Sequence, residues 1–137
     1  MTIEIVSGQP GINLHNIFVD ILKHNGLNLN DVDAIMYFPE YSSKRVLHPK
    51  EIYDLAKKRA KYHIENNKDL FIITYSSDVL NAIRVEIKKH NFTGVKCHQF
   101  TKEGKDYCSN IDSHGCMRVW VEDIFDVWDK AIDELFF

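Results

Sequence analysis

The chain alternates short apolar runs with stretches whose apolar residues recur at helical spacing, and this alternation is its strongest constraint on fold. Residues 70–74 form the most strand-like run, and residues 76–78 follow it with side chains that can cap a helix running to about His90. Residues 34–38 form a second compact run. Pro49 suits the start of the next helix, because the first helical residue needs no backbone N–H. Such runs are typical of a buried parallel sheet.

The N-terminal part predicts the same arrangement of a strand followed by a helix. Residues 2–7 alternate as a short strand does, and Gly8 and Gly11 interrupt regular structure after it. From Leu14 onward, apolar residues return at helical spacing until Asn25 and the glycine after it end the pattern. We therefore predict three parallel strands, each followed by a right-handed crossover.

The last third predicts an antiparallel extension of the sheet. Residues 94–100, 107–111 and 116–121 read as three strands of a meander, whereas residues 39–48, earlier in the chain, read as a polar loop. Residues 122–137 predict an amphipathic helix. Its apolar face is expected in the core and carries Ile124, Phe125, Trp128, Ile132 and Leu135, while Phe136 and Phe137 are expected to dock on the body or on a partner.

The fold class predicted from these patterns is an α/β three-layer sandwich with a mixed sheet. At 137 residues, 45% of them hydrophobic, the chain suits one domain spanning residues 1–137. The net charge of −3 gives no general attraction to nucleic acid or to an anionic membrane. An odd number of cysteines, three, and the lack of a leader or spanning segment predict a cytoplasmic protein.

Residues 8–15 occupy the position of a phosphate loop between the first strand and its helix. Such a loop binds phosphate through backbone N–H groups, a lysine and a magnesium-binding hydroxyl. Gly8 stands at the first glycine position, but Asn13, Leu14 and His15 stand at the second glycine, lysine and hydroxyl positions. We interpret these residues, Gly11 among them, as an ordinary strand-to-helix turn and leave residual phosphate binding open.

Three short motifs carry a resemblance to a known family. The motifs Phe38-Pro39-Glu40, Leu47-His48-Pro49 and Thr74-Tyr75-Ser76 follow one another in that order. They resemble the Walker B region and the following strand of ABC-type P-loop ATPases of the overcoming-lysogenisation-defect (OLD) family. In that family a histidine senses the γ-phosphate at the position of Tyr75. Residues 115–125 are similar to a strand-turn-helix near the end of one branch of the family.

The resemblance implies an ATPase-like fold without ATPase chemistry. The long insert with the signature helix, which family members carry before the Walker B strand, is missing, and Glu40 has no acidic neighbour beside it. We expect a catalytically inactive protein without a cofactor that acts by protein–protein interaction. One concrete form of this hypothesis is a decoy or regulator of a full-length OLD-type ATPase, of phage or mobile-element origin. Whether the chain forms a homodimer stays open.

The alternative is a weak nucleotide-binding protein or ATPase. ATP and magnesium would then bind at a residual phosphate site formed by Gly8, Gly11, Asn13, His15, Glu40 and Ser76.

Cysteine and histidine side chains of the last third supply a further candidate. The set Cys97, His98, Cys108, His114 and Cys116 contains enough soft ligands for one zinc ion. It lacks the closely spaced cysteine pairs that are typical of structural zinc sites, so we predict no metal site. A metal-dependent nuclease built from His98, His114 and carboxylates is the third hypothesis.

Overall fold

The structure, a computed structural model, describes residues 2–28, 30, 35–37, 41–42 and 45–137. These residues form seven strands and four helices. In chain order they are β1 (Ile3–Gly8), α1 (Leu14–His24), β2 (Ile35–Tyr37), β3 (Tyr41–Ser42), β4 (Arg45–Val46), α2 (Pro49–Glu65), β5 (Leu70–Ile73), α3 (Ser77–His90), β6 (Val95–Phe100), β7 (Ser109–Ile111) and α4 (Val127–Phe136). Within this part of the chain, no helix combines the length and apolar character needed to cross a bilayer.

Five of the strands form one mixed sheet in the order β2-β5-β1-β6-β7. The strand β1 runs parallel to β5 on one side and to β6 on the other, with Ile5 opposite both Ile72 and Cys97. The strand β2 extends the parallel part beside β5, whereas β7 is antiparallel to β6. The predicted α/β class and mixed sheet are confirmed. The strand β6, expected in the antiparallel extension, is instead parallel to β1, and the antiparallel pair of this sheet is β6 with β7.

The strands β1, β5 and β6 contribute side chains to two hydrophobic clusters, because successive side chains point to opposite faces of a sheet. Ile3 and Ile5 belong to a cluster that includes buried residues of α2 and α3. Val6 belongs to a second cluster, which includes Phe18 and other residues of α1. All six residues of β1 are buried, so this strand lies at the centre of the molecule.

Local signals place the starts of α2 and α3 where the sequence predicts them. Pro49 occupies the first turn of α2, directly after the N-cap His48. Ser76 caps α3, since the backbone N–H of Val79 donates a hydrogen bond to Ser76 Oγ at 3.3 Å. Ser and Pro act through neighbours a few residues away, which is why sequence alone locates these ends.

Two predictions about irregular segments are wrong. The predicted loop 39–48 contains the short antiparallel pair β3 and β4. The predicted strand 116–121 is reduced to an isolated bridge between Ile111 and Met117. Side chains bind this segment instead of a neighbouring strand: Gln99 Nε2 donates to the carbonyl of Val119 at 2.7 Å, and the N–H of Val121 donates to Gln99 Oε1 at 3.0 Å.

The final helix also differs from the prediction. It begins at Val127 rather than at residue 122, and none of its residues is buried. Before it, Asp123 adopts a left-handed φ of 65°, and its N–H donates to Asp126 Oδ1 at 2.9 Å, so the chain turns before the helix begins. Ile124 lies in that turn and is 5% exposed. Trp128, Ile132 and Leu135, expected in the core, are exposed.

Position 115 requires glycine for two reasons, its left-handed backbone conformation and the lack of room for a side chain. A matched pair of substitutions separates the two. Gly115 has φ of 78°, and an added Cβ would lie 2.7 Å from the carbonyl oxygen of Arg84. Gly104 has φ of 83° with open space around it, so Gly104→Ala measures conformational strain alone, about 1–2 kcal/mol. We expect Gly115→Ala to lower the free energy of unfolding by at least about 1 kcal/mol more, measured by urea denaturation. Equal losses of unfolding free energy in the two variants would show that α3 shifts to make room for the added methyl group without a free-energy cost.

Candidate functional site

The turn after β1 is filled by the chain itself. An added Cβ at Gly8 would collide with the Cδ1 atom of Ile12 and lie 3.1 Å from the carbonyl oxygen of Phe100. Ile12 therefore lies against Gly8, where a phosphate loop would leave its backbone open to phosphate. Gly11 follows with φ of 88° and open space around it, so its role is conformational.

The remaining turn residues act as helix caps or lie on the surface. Asn13 is the N-cap of α1, and its Oδ1 accepts a hydrogen bond from the backbone N–H of Asn16 at 3.2 Å. His15 is exposed in the first turn of the same helix. Ser76 uses its hydroxyl to cap α3, and its N–H donates to Thr74 Oγ1 at 3.0 Å. Glu40 lies outside the described residues.

The sheet brings two of the predicted loops to one edge. The strands β1 and β5 are parallel neighbours, so the turn at Gly8 and the segment 74–76 both follow carboxyl ends. Their chains continue to opposite faces, because α1 packs in one hydrophobic cluster and α3 in the other. This is a topological switch point, the usual position of ligand sites in α/β sheets.

The cavity beside Ser76 does not include the turn. Its volume is about 270 Å³. The described residues that line it are 75–78, at the start of α3, and Ile124, Phe125, Val127 and Trp128, before and at the start of α4. The described lining of this cavity thus includes Ser76 but none of the turn residues Gly8, Gly11, Asn13 and His15.

A segment near the C-terminus covers the carboxyl ends of β1 and β6. Gln9 Nε2 donates to the carbonyl of Glu122 at 3.0 Å, and Gln9 Oε1 accepts from the N–H of Lys102 at 2.9 Å. Together with the bonds of Gln99, these contacts hold residues 119–122 against the sheet edge. The side-chain amide of each glutamine donates one hydrogen bond to a backbone carbonyl and accepts one from a backbone N–H. Both side chains therefore attach this segment to the sheet.

A charge network on the α1 side of the sheet, made of buried Glu4, partly buried His98 and exposed Asp106, was not predicted. His98 Nε2 lies 3.0 Å from Glu4 Oε1, and His98 Nδ1 lies 2.8 Å from Asp106 Oδ2. Burial lowers the pKa of His98, but hydrogen bonds and charge from Glu4 and Asp106 outweigh burial and raise this pKa above its ordinary value of 6.5. The imidazole of His98 therefore links β1, β6 and the connection to β7.

A groove of about 420 Å³ lies beside this network, between α1 and the sheet. Ile17, Ile21 and Phe100 supply its apolar lining, and the remaining lining residues are Glu4, Asp20, His24, Asn25 and His98. Glu4 could have been noticed in the sequence, because it is the one charged residue within the otherwise apolar run 3–6. Its partners could not, because 94 residues separate Glu4 from His98.

The sequence-based metal candidates do not come together in one site. Cys97 and His98 are neighbours on β6, so their side chains point to opposite faces of the sheet, and Cys97 is buried. Cys108 and Cys116 are exposed. Among the described residues, no group of three or more His, Cys, Asp or Glu side chains is arranged to hold a metal ion.

Among the described residues, α4 carries more exposed large apolar side chains than any other helix. Trp128 is 69% exposed, Ile132 41% and Leu135 73%, and their spacing of four and three residues places them in one stripe. Phe136 and Phe137, at the end of the chain, are also exposed. Contiguous apolar surface of this kind marks interaction sites in monomeric domains. We call Trp128, Ile132 and Leu135 the α4 stripe.

Comparisons of the chain with protein-family models, with curated proteins and with solved structures give no match. The resemblance to OLD-type ATPases therefore depends on the sequence motifs.

The charge of His98 predicts a pH-dependent stability. Its pKa is raised on folding, so its stabilising effect is complete below about pH 6.5 and is lost as pH rises through the raised pKa. We expect His98→Gln to lower the free energy of unfolding by about 1–3 kcal/mol near pH 6. The difference from wild type should shrink as pH rises through the raised pKa, measured by urea denaturation at each pH.

The exposed His114 supplies the control. His114→Gln should change the free energy of unfolding by less than about 0.5 kcal/mol at each pH. A His98→Gln loss that is constant with pH would contradict a charged imidazole between the two carboxylates.

Proposed function

We propose that this chain is a non-catalytic relative of OLD-type ATPases that acts by binding another protein through α4. The observation that carries the proposal is the exposure of the α4 stripe. Burying a large apolar side chain contributes about 1.5–3 kcal/mol, and Trp128, Ile132 and Leu135 obtain little of this within the chain. A partner that covers them would supply it.

The proposed ancestry includes the finer fold, a three-layer sandwich whose parallel part is P-loop-NTPase-like. Two observations support it: a glycine turn follows the central strand β1 and leads into α1, and the two hydrophobic clusters include helices on opposite faces of the sheet. The filled turn at Gly8 supports loss of phosphate binding within this scaffold, because Ile12 lies where backbone N–H groups would face a phosphate.

The charges beside the α4 stripe define the chemistry of the partner. Asp129 lies on one side of the stripe, and Asp133 and Glu134 lie further round the helix, about 100° from the nearest stripe residue, so α4 is acidic overall. Lys130, on the opposite face, forms ion pairs with Glu122 at 2.8 Å and Asp123 at 2.6 Å, which attach the start of the helix to the preceding turn. A complementary partner presents an apolar groove bordered by lysine or arginine, and we propose that a full-length ATPase carries it at its dimerisation surface.

Capture of a partner tests the proposal. Tagged protein should retain an ABC-type ATPase from a lysate of the native host, identified by mass spectrometry. Trp128→Ala combined with Leu135→Asp should reduce the retained amount at least about tenfold, because aromatic and leucine anchors in a covered surface each contribute about 1–2 kcal/mol or more. Folding should be unchanged, since both side chains are exposed.

The control is Tyr107→Ser, which removes an exposed aromatic residue from the connection between β6 and β7. It should leave the retained amount unchanged. The proposal fails if wild type retains no ATPase, or if the α4 variant retains as much as wild type.

The alternative function, weak nucleotide binding at the turn, is tested by calorimetry with ATP and magnesium. We expect no heat of binding up to millimolar ATP, because Leu14 and His15 replace the lysine and hydroxyl of a phosphate loop. Saturable heat that Gly11→Glu abolishes and Gly11→Gln preserves would establish the alternative instead. Both substitutions impose the same strain at φ of 88°, so only the added charge distinguishes them.

A further inference from the structure

The groove beside the His98 network combines apolar side chains with carboxylates. Ile17 and Ile21 of α1 lie on one side, and Phe100 of β6 belongs to the same lining. Glu4 enters the lining from the central strand β1, and its side chain is only 10% exposed. A carboxylate so largely withdrawn from water is costly unless hydrogen-bond donors or positive charge satisfy it.

One oxygen of the Glu4 carboxylate still has capacity for a donor. Glu4 Oε1 lies 3.0 Å from His98 Nε2, whereas no hydrogen bond from another described residue reaches Oε2. A carboxylate accepts up to about four hydrogen bonds, so Oε2 remains available on the side of the groove. Asp106 occupies the other ring nitrogen of His98, so the imidazole has no N–H left for a ligand.

The helix α1 adds acceptors to the same groove. Asp20 and His24 recur at helical spacing with Ile17 and Ile21, so one face of α1 borders the groove. His24 Nδ1 lies 2.8 Å from the carbonyl oxygen of Asp20. Because a carbonyl only accepts, Nδ1–H donates, and Nε2 of the neutral imidazole is left as an acceptor. The described lining contains no lysine or arginine, so it favours a positively charged donor.

We propose that this groove binds a small primary amine with an apolar stem. The ammonium group donates to Glu4 Oε2 and is attracted by the exposed carboxylate of Asp20. The stem lies against Ile17, Ile21 and Phe100. An ammonium has three N–H donors and no acceptor, which matches a lining rich in acceptors. The site goes beyond the proposed function, because α4 is not among its described lining residues.

Titration followed by two-dimensional amide NMR spectroscopy tests the site with three probes that share one stem. Phenethylammonium carries a cation, 2-phenylethanol a neutral hydroxyl and 3-phenylpropanoate an anion. Phenethylammonium should shift the backbone amide signals of Ile17, Ile21 and His98 saturably, with a Kd of about 1 mM or tighter. The alcohol should bind at least about fivefold more weakly and the carboxylate should not bind, since charge-assisted hydrogen bonds are stronger than neutral ones.

Two substitutions assign the ammonium group to the carboxylates. Glu4→Gln keeps an acceptor for His98 but removes the charge, and it should raise the Kd at least about tenfold. Asp20→Asn changes an exposed position and should raise the Kd about two- to fivefold with the fold intact. Glu103→Gln, exposed in the connection between β6 and β7, is the matched control and should leave the Kd unchanged. If Glu4→Gln is unfolded by urea denaturation criteria, Asp20→Asn decides.

Three results would overturn the proposal. The absence of saturable shifts up to about 10 mM phenethylammonium rules out a site of useful affinity. Equal affinity for 2-phenylethanol shows an apolar groove that does not recognise the cation. An amine affinity that neither Glu4→Gln nor Asp20→Asn changes places the ammonium elsewhere. None of these results affects the capture of an ATPase by α4, and failure of that capture leaves amine binding unchanged, so the two proposals fail separately.

Discussion

The rest of the structure depends on the burial of β1 between two parallel neighbours. Its hydrogen bonds to β5 and β6 fix a register that directs Ile3 and Ile5 into one hydrophobic cluster and Val6 into the other. A fully buried aliphatic side chain contributes about 1.5–3 kcal/mol, so a shift of one residue along β1 would exchange the two faces and lose both contributions. The same register places buried Glu4 beside His98, whose imidazole supplies a partner that offsets the cost of burying this carboxylate.

The carboxyl edge of this sheet is where an α/β fold usually places a ligand, and much of it is occupied by the chain itself. Ile12 lies against Gly8, and Gln9 and Gln99 hold residues 119–122 over the ends of β1 and β6. At this edge, internal packing and hydrogen bonds occupy backbone that would otherwise be open to a ligand. They support a proposed function that depends on surface recognition rather than on chemistry in a cleft.

Recognition is proposed at α4 because the apolar side chains of this helix are little buried by their own chain. It is attached through Lys130 and the turn before it, while its apolar stripe faces outward. The carboxylates of α4 favour a partner with basic side chains around an apolar groove.

The sequence alone determined the elements that depend on near neighbours. Periodicity and caps located α1, α2 and α3, and the three βα units predicted the parallel part of the sheet. Periodicity also predicted that the last helix is amphipathic, but an apolar stripe has the same pattern whether it covers its own core or another surface. Only the tertiary structure decided that α4 faces outward, that Gln99 binds residues 119–122, and that Glu4 meets His98. Each of these depends on contacts between residues far apart in sequence, which the sheet register creates and no local pattern records.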